Sequence, residues 1–484
     1  MTSEEEQLRQ ENTQLQEQVR TQQELIERQS QQIALLTAQV ENLHARLAKD
    51  SHNSHLPPSS DRFKRQPKSL RTKSGKKAGG QPGHAGQLLR MVETPDRVIS
   101  HPVETCPACQ QDLREVAALQ VERHQVVELP PKRVMVIEHQ AECKCCPACQ
   151  EVILAPFPAD VTAPIHYGPA LGALAVYLVQ QQLLPYERVS ELFFDLFGHP
   201  ISPATIVSLV QRCAEQLADV EQHIKMALIH AQVLHQDETG LSVAGKRHWV
   251  HVSATPSLTH YAAHSKRGRQ ALDAIDILPG FRGVSVHDGW RSYWAYDCQH
   301  ATCNVHLLRD LTFLWEEQQQ DWAQQMQDLL LSMKAAVEQA RAEGRSALHP
   351  VEVADWQAQY HTILLQGEHA QPHELSPPLK GKGRRKQSAA HNLLDRLSKE
   401  QGAVLAFVSN LAVPFDNNLA ERDLRMIKVQ QKISGCFRSL TGAAAFCRIR
   451  GYLSTLHKHG LALLNALEQV VLGHPVLPDF TLPE

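Results

Sequence analysis

The chain has 484 residues, 42% of them hydrophobic, and a formal net charge of −3. That length allows about two to four domains with a sizeable core, and the near-neutral balance excludes a globally basic nucleic-acid binder, so any basic surface must be local. The acidic start MTSEEEQLRQ has no apolar stretch and argues against a signal peptide. The longest apolar run, residues 170–179, is about half of the roughly 20 residues a membrane span needs. The chain therefore reads as cytoplasmic, and its eleven cysteines as metal ligands, core or catalytic groups before disulfides.

Within a leucine-zipper-like segment over 1–48, residues 7–48 carry heptads with Asn12, Val19, Ile26, Ile33, Val40 and Leu47 at a and Leu15, Gln22, Gln29, Leu36 and Leu43 at d. β-Branched a with Leu at d favours a parallel two-stranded coiled coil, and so a homodimer; the alternative is one long amphipathic helix packed on its own chain. Residues 49–100 are rich in Pro, Gly and Ser and read as a flexible linker. Within it Arg62, Lys64, Arg65, Lys68, Arg71, Lys73, Lys76 and Lys77 occur with no acidic residue between Arg62 and Lys77, a density suited to phosphate neutralisation.

A zinc-binding ribbon is expected over 101–160. CPAC at 106–109 recurs at 146–149, separated by strand-like segments such as RVMVIEH at 133–139. Two such knuckles supply the four thiolates of a closed, structural Zn²⁺ site, Cys106, Cys109, Cys146 and Cys149. Cys143 also makes a Cys-x-x-Cys pair with Cys146, but the second CPAC repeats the first knuckle and is preferred. Residues 161–230 are helical, with Gly198 as a stop and Ser202-Pro203 as a start. They fit a DNA-reading helix-turn-helix or an ordinary helical hairpin, the second slightly better.

From residue 231, AQVLHQDETGLSVAG, KRHWVHVSATP and LTHYAAHSKRG read as an antiparallel meander. Alternation puts Val233, His235 and Asp237 on one face and Glu238 on the other, with only Asp237 expected beside the core. A helix over RQALDAIDIL leads to a fourth strand, GVSVHDGW, where Val284, Val286 and Asp288 share a face. An aspartate ending an apolar strand is costly unless something binds it. Two of them on neighbouring strands suit a hard cation such as Mg²⁺; taken singly, each could be a loop residue past a strand end. Cys303 and His306 then open a helix, as a zinc pair lacking partners or as a local seat for that helix. Residues 316–400 form a helical insertion. In PFDNNLAERDLR, Asn418 and Glu421 have the spacing of a capping box, while Arg422, Arg425, Lys428 and Lys432 make the following helix basic.

Together HQDETG, VSVHDGW, CNVH, DNNLAERDLR and KISGCFRSLTGAAAFCRIRGYLSTLHKHG, in this order, resemble the transposases of the bacterial insertion sequence 66 family. The zipper-like segment, the PPSSDRFKR and GGQPGHAG linker and the CPAC knuckles are similar too; the Cys-rich ECKCCPAC is a departure. The resemblance implies a multidomain α/β protein whose catalytic domain, over 231–455, is RNase H-like, a mixed sheet flanked by helices, with residues 456–484 as a C-terminal helix and tail. It implies a DDE triad of Asp237, Asp288 and Glu421 holding two Mg²⁺ per active site, with Mn²⁺ as a substitute. The implied activity is cleavage at the element ends and transfer of the 3′-OH into target DNA. The partners it implies are element-end and target DNA, and accessory proteins of the same element. A metal-dependent nuclease without strand transfer and a non-enzymatic zinc-ribbon DNA-binding regulator are the alternatives.

Overall fold

A two-residue turn, Ala244-Gly245, has positive φ at both positions (49° and 74°), the arrangement that matches strand twist in a tight hairpin. It folds β3 (Val233–Val243) back on β4 (Lys246–Ala254). This hairpin is the start of the central sheet in a computed structural model that describes residues 3–49, 91–127, 134–158, 161, 163–370, 388–478 and 480. The basic run from Arg62 to Lys77 lies outside the described residues.

The elements preceding the sheet are α1 (Ser3–Ala48), β1 (Cys143–Cys145), β2 (Val152–Leu154), α2 (Pro169–Gln180), α3 (Tyr186–Phe197), α4 (Pro203–Gln216) and α5 (Ala218–Ile229). After the hairpin come β5 (Thr259–His264), α6 (Arg269–Ile275), β6 (Val284–His287), β7 (Gln299–Thr302) and α7 (Asn304–Gln318). The insertion supplies α8 (Asp321–Ala342), α9 (Pro350–Ala370) and α10 (Ala389–Lys399), followed by the short α11 (Gln401–Val404) and α12 (Ala406–Ser409). The chain closes with α13 (Asn418–Ser434), α14 (Leu440–Lys458) and α15 (Leu463–Val471). No helix among the described residues is long and apolar enough to cross a membrane.

The chain divides into two compact units, one of Met1–Lys68, His139–Glu191 and Ile201–Glu484, the other of Ser69–Glu138 and Leu192–Pro200. In the smaller unit the described strand-like contact is a bridge between Thr105 and Asp112, and Gln125 exchanges two hydrogen bonds with the Val92 backbone at 2.7 and 2.8 Å. Gly198, at φ 67°, ends its helix as expected.

In the larger unit the sheet order is β5-β4-β3-β6-β7; β3, β4 and β5 are antiparallel neighbours, whereas β6 pairs in parallel with β3 and β7 in parallel with β6. This is the expected mixed sheet flanked by helices, with β7 as a strand the sequence did not announce. One face is covered by α13 and α14, where Ala420, Leu424, Ile427 and Phe446 pack with Leu241, Val250 and Val252. The contacts recur at i, i+4 and i+7 along α13, the stripe of a helix lying on a sheet. A buried ion pair pins α13 in place: Asp423 Oδ2 lies 3.0 Å from Lys458 Nζ and accepts from Thr259 Oγ1.

The insertion is no appendage. Trp322, Met326, Tyr360, Leu364 and Leu394 belong to the same buried cluster as Val284, Val286 and Ala301 of the sheet. Helices α2 and α4 pack on each other and on α14 and α15, with Gly172 set close to Leu209 and Val471. The boundary expected at 455 falls inside α14.

Parallel pairing of β3 and β6 depends on one glycine. A Cβ on Gly283 would sit 2.5 Å from both Ala231 O and Gln232 O, and rigid backbone cannot give way by that much. Gly283→Ala is therefore expected to cost about 3 kcal/mol, read as a lowered midpoint in chemical denaturation.

Candidate active site

The sheet register brings the first two aspartates level. Val233 pairs with Val284 and His235 with Val286, the last pair of the ladder; the same offset carried two residues on would set Asp237 level with Asp288. Asp237 lies within β3, whereas Asp288 is the first residue past β6, where its Oδ1 accepts from the Trp290 backbone N–H at 2.9 Å. The loop-end geometry considered for a single aspartate thus holds for Asp288 only. Burial holds the Asp237 carboxyl well above its ordinary pKa; neighbouring Glu238 adds to this, as do Asp288 and Glu421.

Glu421 comes in on the first turn of α13, which starts one residue earlier than a capping box requires. The N-cap is Asn417, and no side chain caps the helix; Asn418 is exposed, with its backbone N–H taken by Asp416 Oδ1 at 3.0 Å. The buried Asn417 side chain turns the other way, donating through Nδ2 to Gln236 O and meeting His235 Nδ1 through Oδ1, each at 2.8 Å. It clamps the helix start to β3 beside Asp237. From the insertion, Arg341 donates to Leu411 O and Val413 O at 2.7 and 2.8 Å, fixing the segment that leads into Asn417.

Cys303 and His306 flank this junction. The Asn417 backbone N–H donates to Cys303 Sγ at 3.2 Å, and His306 Nε2 lies 3.5 Å from Glu421 Oε1. The ligand atoms of Cys303, His306 and Glu421 fall within 4.8 Å of one another. Burial, with Glu421 adding to it, pushes the Cys303 thiol up to about 12, so the sulfur is held as a neutral hydrogen-bond acceptor. As the acceptor of the Asn417 N–H, the sulfur provides a local seat for the start of α13. Burial also raises the Glu421 carboxyl; Asp416 and Asp288 add to the rise, opposed by Arg309 and Arg425.

Glu238 departs from expectation. It does point away from Asp237, yet its side chain is 1% exposed. Arg267 Nε donates to its Oε1 at 2.8 Å and the Tyr293 hydroxyl to its Oε2. Nothing in HQDETG announces those partners, which arrive from loops 29 and 55 residues downstream.

Along α13, Arg422, Arg425, Lys428 and Lys432 are exposed as expected. Lys428 approaches Gly240 O at 3.5 Å. Burial and then Arg247 lower its pKa while Asp237 raises it.

Each Cys-x-x-Cys knuckle forms the same turn. Gln110 N–H donates to Cys106 O and Cys106 N–H to Gln111 O, both at 2.9 Å; Gln150 N–H to Cys146 O and Cys146 N–H to Glu151 O, both at 2.8 Å. Gln110 and Gln150 both have positive φ. Backbone N–H groups of Cys109 and Ala108 lower the Cys106 thiol pKa, and those of Cys149 and Ala148 do the same for Cys146. The repeat therefore follows Cys146 and Cys149, while Cys143 and Cys145 lie on β1, paired with β2. Strand structure expected in RVMVIEH does not form over 134–139, and β1 and β2 flank the second knuckle instead.

No curated protein matches the chain. Residues 2–90 match the model of a family of unknown function, DUF6444. Residues 164–445, more than half of the chain and all of the carboxylate site, match the model of the Transposase IS66 family. The chain belongs to the IS66 family of transposases.

Proposed function

We propose that the chain is a DDE transposase with an RNase H-like catalytic domain, in which Asp237, Asp288 and Glu421 hold divalent cations for phosphoryl transfer on DNA. What supports this reading is that Asp237 lies on β3, Asp288 just past the neighbouring β6 and Glu421 on the first turn of α13, whose start Asn417 ties to β3 beside Asp237. Such a half-buried, oxygen-only donor set fits Mg²⁺ or Mn²⁺. When bound, these ions polarise the phosphoryl oxygens and stabilise the attacking and leaving oxygens.

The residues around the site supply the rest. Asn417 and Arg341 fix where Glu421 sits, Cys303 seats the α13 junction, and His306 faces the Glu421 carboxylate. Lys428 meets the phosphate beside Asp237, and Arg422, Arg425 and Lys432 continue the contact along the DNA backbone. In the first step water bonds to phosphorus at the element end as the P–O3′ bond breaks; water gives up a proton and the leaving 3′ oxygen gains one. In the second, that 3′-OH attacks a target phosphodiester and a target 3′ oxygen leaves. Along α1, Leu15, Val19, Ile26, Ile33, Leu36, Val40 and Leu43 are exposed, which supports pairing with a second copy as a coiled coil, so that two element ends meet two protomers.

Labelled DNA carrying the ends of the encoding element tests the reaction. Joined product that disappears in Asp237→Asn supports transposition. Cleavage without joining supports a nuclease, and DNA binding without Mg²⁺-dependent chemistry supports a regulator.

Cys106, Cys109, Cys146 and Cys149 are proposed to hold one structural Zn²⁺, the matching knuckle turns being the support. Elemental analysis should find about one zinc per chain, lost in Cys149→Ser and kept in Cys143→Ser. Loss in Cys143→Ser with retention in Cys149→Ser would reverse the assignment.

A further inference from the structure

From Ala244 to Gln270 the chain carries Lys246, Arg247, Lys266, Arg267 and Arg269 and no acidic residue. Antiparallel pairing of Trp249 with His264 gathers both ends of this stretch at one corner of the sheet. There Arg247 Cζ lies 4.7 Å from the Trp249 ring centre, and Arg267 Cζ lies 4.9 Å from Trp249 and 4.2 Å from Trp290. Two guanidinium groups and two indoles thus alternate in a ladder.

The ladder is anchored and partly open. Buried Glu238 grips Arg267, whose side chain is still 39% exposed, while Arg247 is exposed. It also adjoins the carboxylates, since the Trp290 backbone bonds Asp288. Pairing of Glu238 with His251 and Gly240 with Trp249 puts it on the sheet face opposite α13. Gly240 lies between the two sides: a Cβ there would be 3.7 Å from Arg247 Nε, and its carbonyl faces Lys428.

We infer that Arg247, set against Trp249, and Arg267, set between Trp249 and Trp290, form a phosphate-binding strip that grips the DNA backbone on the side of the carboxylates away from α13. Planar guanidinium groups kept in place by stacking lose little freedom when they meet phosphate oxygens. With Lys428 on the other face, the strip brackets the strand running through the site. The inference rests on the transposase reading for its ligand.

Binding of a short fluorescein-labelled duplex to the full chain, measured by anisotropy over a salt series without Mg²⁺, tests it. Arg247→Ala should weaken binding about tenfold at low salt and reduce the slope of log K against log salt by about 0.9, the share of one phosphate contact. Arg267→Lys keeps a cation for Glu238 but loses the planar guanidinium between the two indoles, and should weaken binding by a smaller factor. Arg20→Ala, on exposed α1, is the charge-matched control and should change neither. Wild-type affinity and slope in both ladder variants would overturn the strip, and strand transfer by those variants would leave the transposase reading standing. The expected slopes without any joined product would do the reverse.

Discussion

Asp237→Asn should abolish DNA cleavage and strand transfer, by about 1,000-fold or more, while making the metal-free protein more stable. The second effect follows from the carboxyl pKa, which burial and three acidic neighbours raise. A carboxyl whose folded pKa exceeds its unfolded value lends stability below the unfolded pKa and loses it as pH rises through the folded one. At neutral pH the wild-type side chain is therefore a cost, and the isosteric amide removes it. The stability gap between variant and wild type should widen as pH rises. Mg²⁺ reverses the order, because ligand binding to the folded state stabilises only a protein that can bind it. Thermal unfolding across pH, with and without MgCl₂, reads all of this. A variant that keeps its Mg²⁺-dependent shift and cleaves within tenfold of wild type would remove Asp237 from the site.

The two adjacent asparagines give the second large effect, and it is asymmetric. Asn417→Ala strips partners from the Gln236 carbonyl and the His235 ring, both buried. Unpaired buried polar groups make a loss of about 3 kcal/mol the expected result. All three carboxylates remain, yet Glu421 loses the clamp that sets its distance from Asp237, so turnover should fall about 100-fold. Asn418→Ala, at an exposed position with no cap bond, should stay within about 0.5 kcal/mol of wild type. A capping box would invert the ranking, with Asn418→Ala costing about 1 kcal/mol. Denaturation midpoints for the two variants, side by side, decide between the arrangements.

Much of this arrangement is legible in the sequence. Alternation in AQVLHQDETG and GVSVHDGW is enough to place Asp237 with Val233 and Asp288 with Val284 and Val286 on one face of each strand, whereas the height of one aspartate against the other comes from the parallel register. Glu421 is legible only as part of an ordered set of motifs. The finer placement is not legible, and each miss has a tertiary cause. β7 is a short, polar QHAT at the sheet edge, paired with β6, so no period reveals it. Asn417 and Asn418 are chemically identical, and only contact with β3 tells them apart. Glu238 looks solvent-bound until Arg267 and Tyr293 are brought over it by the loops after β5 and β6.

The splinting of the Glu421 segment by Arg341 limits how this fold can be rebuilt. Two hydrogen bonds join α8 to carbonyls at 411 and 413, so the insertion and the third carboxylate behave as one cassette. A chimera that exchanges only the helical insertion with another family member would separate the donor from its acceptors. Crossover points before α8 and after Glu421 keep donor, acceptors, the Asn417 side chain and the carboxylate together, and are where such exchanges should preserve a working centre.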